Sequence, residues 1–400
     1  MDCYAVVPPG LEPLAAEELA RLGIDPGPVE PGGVSFRADR GGLCAANLHL
    51  HTASRVLVRI ATFHASSFHE LERRAKRVPW EKFVAPGAAV EFRVTSRKSK
   101  LYHQRAVAAR LVDAVARMVP GAVHAALADD AGNAAGESAD HAAQLFVVRL
   151  AHDECMVSAD SSGAHLHRRG YRLASGKAPL RETLAAAMLL STGWNGRAPL
   201  IDPMCGSGTI PIEAALIARR MAPGLGRSFA FERWPDFDAD KWARLVDAAR
   251  ESILPRAPAP IVGSDRDAGA VAAATANAER AGVAEDVAFR RAAISALDAP
   301  AEAGGGWVVT NPPYGVRIGD RAELRNLYAQ FGNVLRRRAG GWRVAMLSSS
   351  RELEGAVGLR FERRWETSNG GVRVRLVTAT VPTPDTPASG HVSTRALSSP

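Results

Sequence analysis

Leu200-Ile201-Asp202-Pro203-Met204-Cys205-Gly206-Ser207-Gly208-Thr209 joins an apolar strand end to a glycine turn and the start of a helix. Glycines at 206 and 208 let the backbone approach a ligand closely, and the helix N-terminus offers N–H groups with no partner inside the helix. A dinucleotide-binding turn would carry a third glycine where Ile210, Pro211 and Ile212 stand. Asp202 also argues against a pyrophosphate, because a carboxylate there repels phosphate and suits a cationic ligand. Working outward, the pattern predicts a helix over 180–190 and strands at 200–202, 261–265, 287–289, 307–310, 342–348 and 372–381, with helices between most of them. This alternation defines a doubly wound α/β domain over residues 169–382. Residues 221–260 read as an insertion, since about twenty residues would reach the next strand.

The N-terminal half has a different rhythm. Strands at 2–7, 32–36 and 55–63, with helices at 10–22 and 42–50, give a ferredoxin-like α+β unit over residues 1–67. A second unit, 68–168, carries a helix at 68–78, a strand at 90–95, a helix at 102–118 and strands at 145–151 and 154–158. Residues 125–143 are expected to form a surface loop, and the Pro-, Ser- and Thr-rich 383–400 a disordered tail.

The chain has 400 residues and a net charge of +8, which permits an anionic partner without establishing one. Arg93, Arg97, Lys98, Lys100, Arg105 and Arg110 form a basic run with no acidic residue inside it and with Tyr102 and His103 interleaved, a composition suited to phosphate binding. A second run, Arg73, Arg74, Lys76 and Arg77, is read equally well as a solvated helix face. The four cysteines lack metal or disulfide spacing, which fits a cytoplasmic location; the ten histidines before residue 170 are scattered and are expected to be solvated or capping, with no metal site. No apolar run reaches membrane-spanning length, so no membrane association is expected.

Two further strand ends carry polar residues. Asp265 is placed to take both hydroxyls of a ribose, with Arg266 beside it to cover a base; the plainer reading makes Asp265 and Asp267 helix N-terminal residues. Trp307-Val308-Val309-Thr310 is a buried strand that runs into Asn311-Pro312-Pro313-Tyr314. An exocyclic amine on a nucleobase is a poor nucleophile until acceptors draw its protons, and the Asn311 amide oxygen and the Pro312 carbonyl are such acceptors. The prolines fix φ and remove N–H donors, while Tyr314 offers a face for stacking. Asp202 suits a cationic ligand such as the ammonium- and sulfonium-bearing methionine end of S-adenosylmethionine, and the four residues from Asn311 are built to hold a flat amino-bearing group.

Asn311 to Tyr314 resembles the signature of S-adenosylmethionine-dependent amino-group methyltransferases. The chain as a whole resembles the THUMP-containing RNA guanine-N2 methyltransferases, and within them the bacterial 23S rRNA branch. Gly10-Leu11-Glu12, Gly33 to Phe36 and Thr52 to Val56 resemble the family's ferredoxin-like unit, and residues 96–104 and 166–172 its THUMP region and link. The resemblance implies a Rossmann-like methyltransferase domain after ferredoxin-like and THUMP units. It also implies a site in which Thr183, Asp202, Pro203, Met204, Cys205, Gly206, Ser207, Gly208, Thr209, Asp265, Arg266, Ile294 and Asn311 hold the cofactor. Asn311, Pro312, Pro313 and Tyr314 would hold the amine, and Arg93, Arg97, Lys98, Lys100, Tyr102, Arg105, Arg168 and Arg169 would contact RNA, either 23S rRNA or a ribosome assembly intermediate. Family members carry an acidic residue after the third strand, where this chain has Ala293, so backbone near Ile294, or Asp298, is expected to take its part. A tRNA guanine-N2 enzyme, a DNA adenine-N6 methyltransferase and a non-catalytic assembly factor are the alternatives.

Overall fold

The computed structural model describes residues 1–125, 143–172, 180–300, 305–314 and 321–383. The N-terminal half runs β1 (Asp2–Val6), α1 (Glu12–Arg21), β2 (Pro26–Glu30), β3 (Gly33–Arg37), α2 (Arg40–His49), β4 (Arg55–His64) and α3 (Phe68–Ala75). It continues with β5 (Ala89–Arg97), α4 (Gln104–Met118), β6 (Val123–His124), β7 (Gln144–Ala151) and β8 (Glu154–Asp160). All eight strands form one sheet in the order β2-β3-β1-β4-β8-β7-β5-β6. The join is β4 with β8, antiparallel, Leu57 opposite Asp160 and His64 opposite Glu154. Sequence reading treated the two N-terminal units one after the other, whereas in space they share a sheet and one apolar core, with Trp80, Phe92 and Phe146 packed together in it.

The second half runs α5 (Glu182–Ser191), β9 (Leu200–Asp202), α6 (Thr209–Ala218), α7 (Ala239–Glu251), β10 (Ile261–Asp265), α8 (Ala268–Arg280), β11 (Val287–Arg291) and β12 (Trp307–Thr310). After these come α9 (Arg321–Arg338), β13 (Arg343–Ser348), α10 (Arg351–Val357), β14 (Glu362–Asn369) and β15 (Val372–Thr380). The sheet order is β11-β10-β9-β12-β13-β15-β14; β11 to β13 are parallel neighbours, and β15 and β14 form an antiparallel hairpin at the edge. β9 and β12 are fully buried, as expected of strands covered on both faces. α5 and α6 are buried on nearly every side, which explains why they are apolar all round rather than amphipathic.

Three strands were not expected from the sequence: β2, the two-residue β6, and β14. The expected insertion is real and contains α7, with Trp242 packed edge-on against Phe229 and Phe231. The helix expected from residue 102 starts at Gln104, leaving Tyr102 and His103 in the preceding loop. Most of the expected 125–143 loop and all but the first residue of the 383–400 tail lie outside the described residues.

Candidate active site

Three strand ends meet at the centre of the second sheet. β9 lies between β10 and β12, with Gly263 opposite Asp202 and Val308 opposite Ile201. Asp202 closes β9, Asp265 closes β10 and Asn311 follows β12, so their side chains start from adjacent carboxyl ends. The chain order reverses between β9 and β12, which is where open α/β sheets leave a crevice for ligands.

Asp202 is buried, and its Oδ1 accepts from Thr310 Oγ1 at 2.7 Å and from Met204 N at 3.2 Å. Burial pushes its pKa up to about 7 against the pull of those two bonds, and the Asp265 charge adds to the rise. A carboxyl held this way ionises readily once a cation arrives. Asp265 Oδ2 accepts from Gly206 N at 3.0 Å and its Oδ1 from Asp267 N at 3.0 Å. Asp267 caps α8, accepting from Gly269 N and Ala270 N. The helix-cap reading therefore holds for Asp267, while Asp265 is tied to the glycine turn.

That turn is left-handed at Gly206 and Gly208, with φ of +52° and +85°. A Cβ on Gly208 would lie 2.9 Å from Ala274 Cβ and Phe289 Cζ, whereas one on Gly206 would meet no described residue within 4 Å. Gly208 is thus a packing requirement, while no described residue packs against the outer side of Gly206. The turn is braced from behind: Cys205 N donates to Ser264 O at 2.9 Å and Asn277 Nδ2 to Ser207 O at 3.0 Å. Thr209 Oγ1 accepts from Arg172 Nη2 at 2.6 Å. Arg172 also pairs with Glu182 at 3.4 Å, next to the buried Thr183. Burial raises the Cys205 thiol pKa and keeps it protonated. Arg172, Asn277 and Thr310 were missed in the sequence because each acts on the turn from a distant element.

Pro203 is buried, and Met204 and Ile294 pack against the same apolar cluster under the site. Ile294 opens a short 3-10 turn after β11, where Ala292 N donates to Asp265 O at 2.9 Å. No acidic side chain stands at position 293, and Asp298 and Arg266 are exposed.

At the end of β12, Asn311 Oδ1 is buried and has no hydrogen-bond partner among the described residues. The Pro313 carbonyl accepts from the buried Tyr328 hydroxyl at 3.3 Å, which ties the loop to α9. The Tyr314 hydroxyl accepts from Asn369 Nδ2 at 2.8 Å, and burial raises its pKa.

Of the expected RNA contacts, Arg97, Lys98, Lys100 and Arg105 are exposed around the loop between β5 and α4, and Tyr102 is 67 % exposed with its ring 4.1 Å from that of His103. The loop is pinned by Lys100 N to Asp153 Oδ1 at 2.7 Å. Arg93 pairs with Glu91, just before the run, at 3.7 Å and Arg110 with Glu72 at 2.8 Å, so both ends of the run are partly neutralised although no acidic residue lies inside it. Arg168 is half-buried. Arg169 must be corrected: it is buried, donating to Leu166 O at 2.5 Å and His51 O at 2.7 Å beside Glu213 at 3.7 Å. Burial nonetheless pushes Glu213 up to about 7, outweighing the Arg169 charge. His165 and His167 are half-buried rather than freely solvated; they stack at 5.2 Å, and burial lowers them to about 2 and about 3, so both stay neutral. Among the described residues no three His, Cys, Asp or Glu side chains gather as metal ligands, and no helix is long and apolar enough to cross a membrane.

The reversed sheet order with its antiparallel edge hairpin, the glycine turn beside a buried carboxyl and the Asn-Pro-Pro-Tyr loop define an α/β domain of the methyltransferase class. Residues 169–377 match the family described as RMKL-like, methyltransferase domain, and residues 2–57 match the RlmL ferredoxin-like domain. The first match takes in more than half of the chain, which belongs to that family. The chain is 38 % identical over 385 residues to the ribosomal RNA large subunit methyltransferase K/L of Syntrophotalea carbinolica, covering 94 % of this chain and 53 % of that protein. It therefore spans about half the length of that relative. A Listeria monocytogenes crystal structure, described as "a predicted N6-adenine-specific DNA methylase", matches with a TM-score of 0.83 at 34 % identity over 95 % of this chain and 96 % of that one. The structure of SMU.472 complexed with SAH matches with a TM-score of 0.82 at 29 % identity over 95 % and 98 %.

Proposed function

We propose that this protein transfers the methyl group of S-adenosylmethionine to the exocyclic N2 amine of a guanosine in 23S rRNA. The methyl donor is S-adenosylmethionine, which brings an activated methyl group on a sulfonium. The residues present fit it: a buried carboxyl at Asp202, the Asp265 carboxylate and the outer side of Gly206 supply one anion for its cationic end, one acceptor pair for ribose hydroxyls and room for close approach. Thr183, Pro203, Met204, Cys205, Ser207, Thr209, Arg266 and Ile294 complete the proposed lining.

The observation that carries the reading is the buried Asn311 Oδ1, which has no hydrogen-bond partner among the described residues. A buried acceptor without a partner is costly unless a ligand supplies the donor. With the Pro312 carbonyl it accepts hydrogen bonds from the two amine N–H groups, turning the nitrogen lone pair toward the methyl carbon, while the Tyr314 ring holds the base flat. The carbon–sulfur bond breaks as the carbon–nitrogen bond forms, and the methylated nitrogen then loses one proton to water. Orientation and fixed dipoles supply the acceleration, and no strong base is required. RNA as substrate draws support from the named activity of the Syntrophotalea relative and from the exposed Arg97, Lys98, Lys100, Tyr102 and Arg105. Residues 68–168 then act as a THUMP-type RNA grip, with Arg93 and Arg168 at its margins. A paired guanine hides its amine, so the target is unpaired or flipped out.

The name of the Listeria structure favours a second reading, methylation of adenine N6 in DNA. The test is incubation of the protein and S-adenosylmethionine with unmodified 23S rRNA, tRNA and DNA, followed by mass spectrometry of the nucleosides. N2-methylguanosine from 23S rRNA is expected; N6-methyladenosine from DNA, or N2-methylguanosine from tRNA alone, would refute the proposal.

A further inference from the structure

The hairpin of β14 and β15 stands beside the site. β15 runs antiparallel to β13 with Arg375 opposite Ser348, the last residue of β13, so Val372 to Val374 extend past that strand's carboxyl end. The turn therefore lies on the same side of the sheet as Asp202 and Asn311. Gly370 and Gly371 both have positive φ, +57° and +83°, the two-residue turn that suits the twist of antiparallel strands. Asn369, just before it, donates to the Tyr314 hydroxyl at 2.8 Å.

The base of the hairpin is held by the N-terminal unit. Gly10 has φ of +92°, and a Cβ there would lie 2.1 Å from the Glu366 carbonyl oxygen, so the turn between β1 and α1 rests directly on the β14 backbone. Leu11 is fully buried in the same core as Trp365, Val374 and Leu376. Glu12 fixes the turn by accepting from Gly10 N at 2.7 Å and Gly32 N at 2.8 Å. The Gly10-Leu11-Glu12 motif thus seats the hairpin that reaches Tyr314.

We infer that Asn369 is a positioning residue for the target base, setting the plane of the Tyr314 ring from a hairpin held rigid by the N-terminal unit. The inference rests on Tyr314 being the stacking face. A phenol ring fixed only through its own backbone can turn about its side-chain bonds; one also held at its hydroxyl presents a single face. Asn369 acts on the base through Tyr314, whose hydroxyl it holds.

The test is a double-mutant cycle on single-turnover methylation, run on whichever nucleic acid the wild-type protein methylates. Asn369→Ala and Tyr314→Phe each delete one partner of the hydrogen bond and are each expected to slow transfer about fivefold. The double variant should be no slower than either single one, because only one interaction is lost. S-adenosylmethionine affinity should stay at its wild-type value, and the melting temperature should fall by no more than about 4 °C, the loss of a single hydrogen bond. Losses that multiply in the double variant, an unchanged rate for Asn369→Ala, or a larger fall in stability and a fall in cofactor affinity alongside the rate would overturn the inference. Tyr314→Ala addresses the underlying reading by itself: if it is no slower than Tyr314→Phe, the ring face is not used and the stacking assignment fails.

Discussion

Replacing Asn311 with Ala should separate stability from activity in opposite directions. Among the described residues the Asn311 amide oxygen is buried and without a hydrogen-bond partner, so it carries a desolvation cost of about 1–3 kcal/mol that none of them offsets. Alanine removes that cost together with some packing, leaving the variant as stable as the wild type or about 1 kcal/mol more so. In a chain of this size that moves the melting temperature upward by about 2 °C at most. Transfer should suffer far more. An acceptor aimed at charge that develops in the transition state is worth about 10²–10³ in rate, or about 3–4 kcal/mol. Asn311→Asp keeps an acceptor in place and should lose less. Single-turnover transfer from labelled S-adenosylmethionine measures the rate, calorimetry the cofactor affinity and a thermal melt the stability. A variant that is destabilised by more than about 1 kcal/mol yet keeps a tenth of its activity would refute the reasoning, since the side chain would then be supporting the fold rather than the reaction.

Three other variants probe the cofactor turn and the link to the N-terminal half. The Asp202 carboxyl titrates near 7 when its site holds no cation, and a bound cation lowers that pKa; below pH 7 binding must release a proton, so affinity falls as pH falls, by up to about tenfold per unit. Calorimetry between about pH 5.5 and 8 should show this slope, and Asp202→Asn should flatten it. Gly208→Ala forces a Cβ to within 2.9 Å of Ala274 and Phe289 in a left-handed backbone, and should weaken cofactor binding at least about tenfold by equilibrium titration. Arg169→Met leaves the Leu166 and His51 carbonyls without a donor and should cost about 3 kcal/mol in denaturant unfolding, while RNA affinity of the folded protein stays unchanged.

Most of the second domain was legible because its strands are covered on both faces and read as apolar runs; Trp307 to Thr310 and Arg343 to Ser348 are of this kind. β14 escaped because it is an edge strand whose Glu362, Arg363 and Arg364 point to solvent, leaving only Trp365 and Thr367 buried. The Asn369-Gly370-Gly371 turn was the available signal for its hairpin. Asp202, Asp265 and Asn311 were found because strand ends concentrate ligand contacts. Their supports were not, since Thr310, Asn277, Tyr328 and Asn369 are ordinary polar residues whose partners lie far along the chain. Charge misled in the same way: Arg169 looks like its basic neighbours in sequence, and only the packing of the link against Glu213 and His51 reveals it as interior.

The shared N-terminal sheet also has a temporal side. β4 pairs on one edge with β1, which is close in sequence, and on the other with β8, whose last residue is Asp160. During synthesis, at about 5–20 residues per second, the second edge of β4 stays open on the order of ten seconds while the intervening chain emerges. An unpaired edge of apolar Val56, Leu57 and Val58 is a template for strand addition by any neighbouring chain. The residues that close it come late, so the nascent chain of this protein passes through a stage in which its protection from aggregation depends on how soon Glu154 to Asp160 can fold back.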